Sequence, residues 1–154
     1  MIGVGLRGQN HLELLLRRND VNVLAICDID ERMLAISRKI IEKSGKKMPP
    51  VFTGDQYAWK KMLELKNIDA VIISTPWEWH KEMIIGSLEA GVKYVGTEVM
   101  LGITLQDHFD VVAAAEKYKA HVCMLENVCY RRDVMAVLNM VRQGLFGEMI
   151  HLQG

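Results

Sequence analysis

Three glycines and a carboxylate carry the first chemical signal in this chain. Gly3-Val4-Gly5-Leu6-Arg7-Gly8 has the spacing G-x-G-x-x-G. Where such a run joins a strand to a helix, the first glycine permits a tight turn. The second lets the backbone approach a pyrophosphate, and the third lets the helix pack closely on the strand. The helix starting near Gln9 then offers its N-terminal amides and its dipole to phosphate oxygens. Glycine-rich turns also arise for steric reasons, so the motif needs support. Asp28 lies twenty residues after Gly8, at the end of the next apolar run. A carboxylate there accepts hydrogen bonds from an adenosine ribose. The competing role is a turn or helix cap, for which Asp30 is equally suited. A carboxylate at the ribose repels a 2′-phosphate, which favours NAD over NADP. Nearby Arg32 weakens that preference.

A second group follows the run at residues 70–75. Ser74-Thr75-Pro76 leads into Trp77, Glu78, Trp79 and His80. Ligands of open α/β sheets bind outside the carboxyl ends of the strands. The two tryptophans can pack on a planar ring, and His80 can donate to a ribose or substrate hydroxyl. Each also has a plain role, the tryptophans in core or surface packing and the histidine at a helix start. Glu98 and Val99 end the run at 93–97, and Asn127 follows the run at 122–125. Glu98 and Asn127 therefore fall at one sheet edge, where they either line the nicotinamide end of a cleft or simply begin polar loops. Cys27, Cys123 and Cys129 form no C-x-x-C pair, which disfavours a disulfide framework or zinc site. Cys27 and Cys123 sit in apolar runs and are expected to be buried. His121 and Cys123 share a strand face but lack a second ligand pair, so no metal site is expected.

The elements that must position these residues alternate. Strands are expected at 22–27, 51–53, 70–75, 93–97 and 122–125. Helical stripes are expected on Leu12, Leu15 and Leu16; on Met33, Ile36 and Ile40; on Leu105, Phe109 and Val112; and on Val134, Val137, Leu138 and Val141. Thr104 with Asp107 resembles a capping box, and Asp55 is placed to cap the helix containing Trp59. Uninterrupted apolar strands between helices predict an α/β, Rossmann-type doubly wound, mostly parallel sheet. Only Met1 and Ile2 precede the first glycine, so the first strand is expected to be clipped or stunted, with a destabilised sheet centre. Residues 148–153 read as the start of a further strand.

With 19 basic and 19 acidic residues among 154, there is no cationic excess of the kind nucleic-acid binders show, and none is expected as a partner. No apolar run is long enough for a membrane span, and no secretory pattern is visible. The compartment is left open.

The stretches Gly3–Asn10, Ala25–Asp30, Ser74–His80 and, above all, Glu126–Gly147 resemble the Gfo/Idh/MocA oxidoreductase superfamily. Within it they are similar to the NAD-dependent α-N-acetylgalactosaminidases of glycoside hydrolase family 109. The resemblance covers essentially the whole chain. It implies that Leu6 and Arg7 contact NAD, that Asp28 holds a ribose, and that Trp77 to His80 wall the cleft. It also implies that Glu98, Val99 and Asn127 lie beside the cofactor. The superfamily commonly has Glu-Lys-Pro where this chain has Glu98-Val99-Met100. The missing lysine disfavours a simple sugar dehydrogenase, and the glycosidase group lacks it too.

The implied reaction is redox-assisted elimination on a glycoside. Hydride leaves C3, the C2 proton becomes acidic, and the C1 leaving group departs. Water then adds and the hydride returns, without the usual pair of glycosidase carboxylates. The expected organisation is an NAD-binding Rossmann domain at 1–147, with 148–154 opening a C-terminal substrate domain. The family's acid and base are expected beyond Gly154. No catalytic residue is therefore assigned, and the chain alone is expected to be inactive. A sugar dehydrogenase, or a nucleotide-binding module without catalysis, is the alternative. Assembly into a homo-oligomer is left open.

Overall fold

The computed structural model describes residues 1–153. Five short strands alternate with six helices: α1 (Leu6–Leu16), β1 (Ile26–Cys27), α2 (Glu31–Ser44), β2 (Val51–Phe52), α3 (Ala58–Leu63), β3 (Ala70–Ile73), α4 (His80–Glu89), β4 (Tyr94–Thr97), α5 (Leu105–Tyr118), β5 (His121–Met124) and α6 (Arg132–Arg142). Single 3₁₀ turns cover Trp77–Trp79 and Val128–Tyr130.

All strand pairings are parallel. β1 pairs with β2, while β4 lies between β3 and β5. Ile2 joins the two groups by bridging to Cys27 on one side and to Ile73 on the other. The spatial order is therefore β2, β1, Ile2, β3, β4, β5, a doubly wound sheet reversing direction at its centre. Met1 and Ile2 are enough to make that centre. The Ile2 amide donates to the Ile72 carbonyl (2.8 Å), the Cys27 amide to the Met1 carbonyl (2.9 Å), and the Ser74 amide to the Ile2 carbonyl (2.8 Å). The sheet centre is thus hydrogen-bonded on both edges and not left open.

The core has two parts. Val4, Leu12, Leu16, Ile26, Leu34 and Ile41 pack α1 and α2 on one face. On the other, Trp59 and Met62 of α3, Ile84 of α4 and Val111 of α5 share a core with Val71, Ile73 and Val95 of the sheet. Some expected details differ. The run 22–27 forms a strand only at Ile26–Cys27, because pairing is limited to the two residues opposite Val51 and Phe52. α2 buries Leu34, Ser37 and Ile41 rather than the Met33–Ile36–Ile40 line. α5 buries Val111 while Leu105, Phe109 and Val112 are exposed. Cys123 is exposed because β5 forms an edge of the sheet. Residues 148–153 form no strand. No residue of α6 is buried. Among the described residues no helix is long and apolar enough to cross a membrane.

Candidate functional site: a dinucleotide cleft at the sheet reversal

The glycine loop leaves the sheet at its reversal point, and its three glycines do different work. Gly3 has φ +82°, and a Cβ there would lie 2.7 Å from the Ser74 backbone carbonyl carbon. A Cβ on Gly8 would lie 2.2 Å from the Gly3 carbonyl oxygen, so only glycine lets α1 start this close. A Cβ on Gly5 would meet no protein atom within 4 Å. Gly5 instead borders a cleft of about 280 Å³, and a bound group can approach its backbone there. No side chain caps α1, so the first-turn amides of Leu6, Arg7 and Gly8 lack the partners a helix start needs. An anion on the cleft side would complete them.

Asp28 holds the loop from the β1 side. Its Oδ2 accepts from the Val4 amide at 2.7 Å and its Oδ1 from the Asp30 amide at 2.9 Å. The helix cap belongs to Asp30, whose side chain accepts from the Arg32 amide. Arg32 also closes back on Asp30, with Nη2 to Oδ2 at 2.8 Å. Its charge is thereby committed away from the Asp28 carboxylate. Asp28, Gly3, Gly5 and Trp79 line the same cleft, together with Thr75 and Pro76. Trp79 meets Tyr57 edge to face, with centroids 5.9 Å apart. Two buried polar atoms on residues of this cleft, Ser74 Oγ and Trp59 Nε1, have no hydrogen-bond partner.

Glu98 holds the loop from the β4 side. Its Oε1 accepts from Arg7 Nε at 2.7 Å and faces His11 Nε2 at 2.5 Å. Burial alone would raise this carboxyl, but the hydrogen bonds from His11 and Arg7 outweigh it and hold the group below the ordinary glutamate value. Val99 follows it, partly buried. His11 was not among the residues singled out from the sequence. The available signal was its position one helical turn after Arg7, which puts both side chains on one face of α1.

Of the expected residues, Gly3, Gly5, Asp28 and Trp79 line the cleft; Arg7, Gly8, Glu98 and Val99 lie just outside its lining, and the others are placed elsewhere. Trp77, 55% exposed, and Glu78 line a separate groove of about 360 Å³ with Trp59, Lys60 and Lys81. The 3₁₀ turn splits the tryptophans, sending Trp79 into the cleft and Trp77 out of it. His80 is fully buried. Its Nε2 faces the Thr75 carbonyl at 2.8 Å and its Nδ1 the Met100 carbonyl. It therefore ties together the loops after β3 and β4, and neither ring nitrogen is turned to a ribose or substrate. Asn127 is exposed at the start of the last 3₁₀ turn, clear of the cleft. Leu6 is exposed at the first turn of α1. Among the described residues no cluster of three His, Cys, Asp or Glu is placed to hold a metal ion. His121 is stacked on Tyr94 instead.

A parallel sheet reversing at a glycine loop, with an open cradle at Gly5 and carboxylates on either side, defines a dinucleotide-binding domain. Residues 1–126 match the family described as oxidoreductase family, NAD-binding Rossmann fold. The chain belongs to this Gfo/Idh/MocA family and carries its NAD-binding domain. Residues 130–154 match the C-terminal domain of glycosyl hydrolase 109. The chain is 54% identical over 155 residues to a glycosyl hydrolase family 109 protein of Stenotrophomonas maltophilia, covering 99% of this chain and 34% of that protein. It is 47% identical to an alpha-N-acetylgalactosaminidase of Tannerella forsythia, covering 97% of this chain and 32% of that enzyme. The chain thus spans about a third of the length of these relatives. The fold is similar to that of myo-inositol 2-dehydrogenase from Lactobacillus plantarum (TM-score 0.81, 24% identity, 97% of this chain and 42% of that one). It is also similar to that of the WlbA dehydrogenase from Bordetella pertussis, solved with NADH and UDP-GlcNAcA (TM-score 0.79, 21% identity, 96% and 40%).

Proposed function

We propose that this chain is the cofactor domain of an NAD-dependent glycosidase that cleaves α-N-acetylgalactosaminides by transient oxidation at C3. The observation that carries the reading is the match of residues 130–154 to the C-terminal domain of glycosyl hydrolase 109, continuing directly from an NAD-binding domain. The C-terminal match begins at residue 130, so residues 130–147, which carry α6, form the join between the nucleotide domain, taken through residue 147, and the substrate domain that 148–154 open. Bound NAD would supply a hydride acceptor and donor that is restored each cycle. The residues here bind and orient. The α1 amides and Gly5 receive the pyrophosphate, Asp28 accepts from the adenosine ribose, and Trp79 closes the cleft wall. Arg7, Glu98 and Val99 stand on the nicotinamide side, and the acid and base come from the remaining two-thirds of the protein. Two carboxylates near the loop and an Arg32 engaged with Asp30 favour NAD over NADP.

Calorimetric titration of the chain with NAD tests the cofactor half. Saturable binding, weakened at least tenfold by Asp28→Ala and absent with NADP, is the expected result. The chemistry is tested in a protein completed with the C-terminal two-thirds of the Stenotrophomonas relative. An aryl α-N-acetylgalactosaminide should be hydrolysed in deuterium oxide with deuterium entering at C2 and no net NADH. Net NADH from free sugar would instead mark a dehydrogenase.

A further inference from the structure

Two carboxylates flank the glycine loop, one on each side of the sheet reversal, and they are held in different ways. Asp28 is bonded by backbone amides alone. Glu98 is held by side chains of α1, the helix that the loop itself begins. Arg7 Nε and His11 Nε2 both converge on Oε1, leaving Oε2 with no protein partner. The His11 and Glu98 side chains are only 17% and 12% exposed, whereas that of Arg7 is 42% exposed. The enclosed histidine is thus the firmer of the two anchors.

A dinucleotide lying across the loop with its adenosine ribose at Asp28 must run toward the β4 side, where Glu98 leaves the sheet. Ribose hydroxyls are donors that need an acceptor fixed in place, and a carboxylate oxygen already free of protein donors supplies one. We propose that His11 is a positioning residue that, through Glu98, fixes the acceptor for the second, nicotinamide-side ribose. The proposal rests on the cofactor lying across this loop. Without His11, Oε1 keeps only the half-exposed Arg7, and the carboxylate is free to turn Oε2 away.

The test compares NAD with ADP, which lacks the nicotinamide-side ribose. Calorimetric affinities are measured for the wild-type chain, His11→Leu and His11→Gln, with circular dichroism confirming the fold. The expected result is that His11→Leu weakens NAD about tenfold, a loss of about 1.4 kcal/mol, and leaves ADP unchanged. His11→Gln, which keeps an N–H at similar reach, should restore NAD binding to within about twofold. Equal weakening of NAD and ADP by His11→Leu would show a merely structural role and overturn the proposal, as would no change in either. If His11→Leu does not fold, His11→Ala takes its place: NAD-only weakening supports the role, and equal weakening of NAD and ADP, or no change in either, overturns it. Binding of neither nucleotide by the folded wild type would instead remove the cofactor assignment on which the proposal stands.

Discussion

Glu98 and Asp107 show how differently two carboxylates can be kept ionised. Asp107 is partly buried and is drawn far below the usual carboxylate range by the Thr104 backbone amide, with Lys81 adding a salt bridge at 3.0 Å. Glu98 is enclosed, so burial works against its charge and the Arg7 and His11 contacts must outweigh it. The folded carboxyl sits below its ordinary value of 4.5, so the unfolded chain binds the proton first as pH falls. The contribution of Glu98 is then complete above the unfolded value and fades as pH drops through the folded one. Denaturant unfolding of the wild type and Glu98→Gln should therefore differ at pH 7 and converge in acid, below about pH 4. A difference that stayed constant with pH would mean that the charge of Glu98 has no part in the clamp.

Helix α5 begins with a reciprocal cap. The Thr104 hydroxyl accepts from the Asp107 amide at 3.1 Å, and Asp107 Oδ2 accepts from the Thr104 amide at 2.9 Å. Thr104→Ala should cost about 1 kcal/mol, read as a lower denaturation midpoint with unchanged slope. This cap was legible in the sequence because it depends on residues three apart. So were the glycine loop, the order of strands and helices, and Asp30 as an alternative cap. What was not legible depends on packing across the sheet. The α5 stripe Leu105–Phe109–Val112 has helical spacing, yet the sheet contacts the neighbouring line through Val111. The tryptophan pair looked like one wall, but a 3₁₀ turn rotates Trp77 and Trp79 apart. The inward turn of His80 depends on the carbonyls of Thr75 and Met100, five and twenty residues away, and no spacing rule marks it. His11 escaped because its partner, Glu98, lies 87 residues along the chain.

At the scale of the whole molecule, the two faces of the sheet are covered and its β5 end is not. α6 presents Val134, Val137 and Leu138 to solvent, as do Phe146 and Ile150 beyond it. An amphipathic helix stabilises a fold by burying its apolar side, so a bare one attracts other apolar surfaces. The isolated chain should bind a hydrophobic dye and sediment faster as its concentration rises. Val137→Lys with Leu138→Glu should reduce both effects without lowering the denaturation midpoint. A monomeric, dye-silent wild type would show that this surface is not adhesive. The other end of the sheet's logic is Ile2. Among the described residues it alone pairs the two-stranded half with the three-stranded half, and its partners lie far along the chain, at Cys27 and Ile73. Ile2 can pair early with Cys27, but its other side stays open until Ile73 is in place. Each half can assemble from its own neighbours, but the seam between them closes only across long loops, and such contacts form slowly. The joining of the halves is therefore the late event in folding. The cofactor cleft, whose floor is that seam, comes into existence only with it.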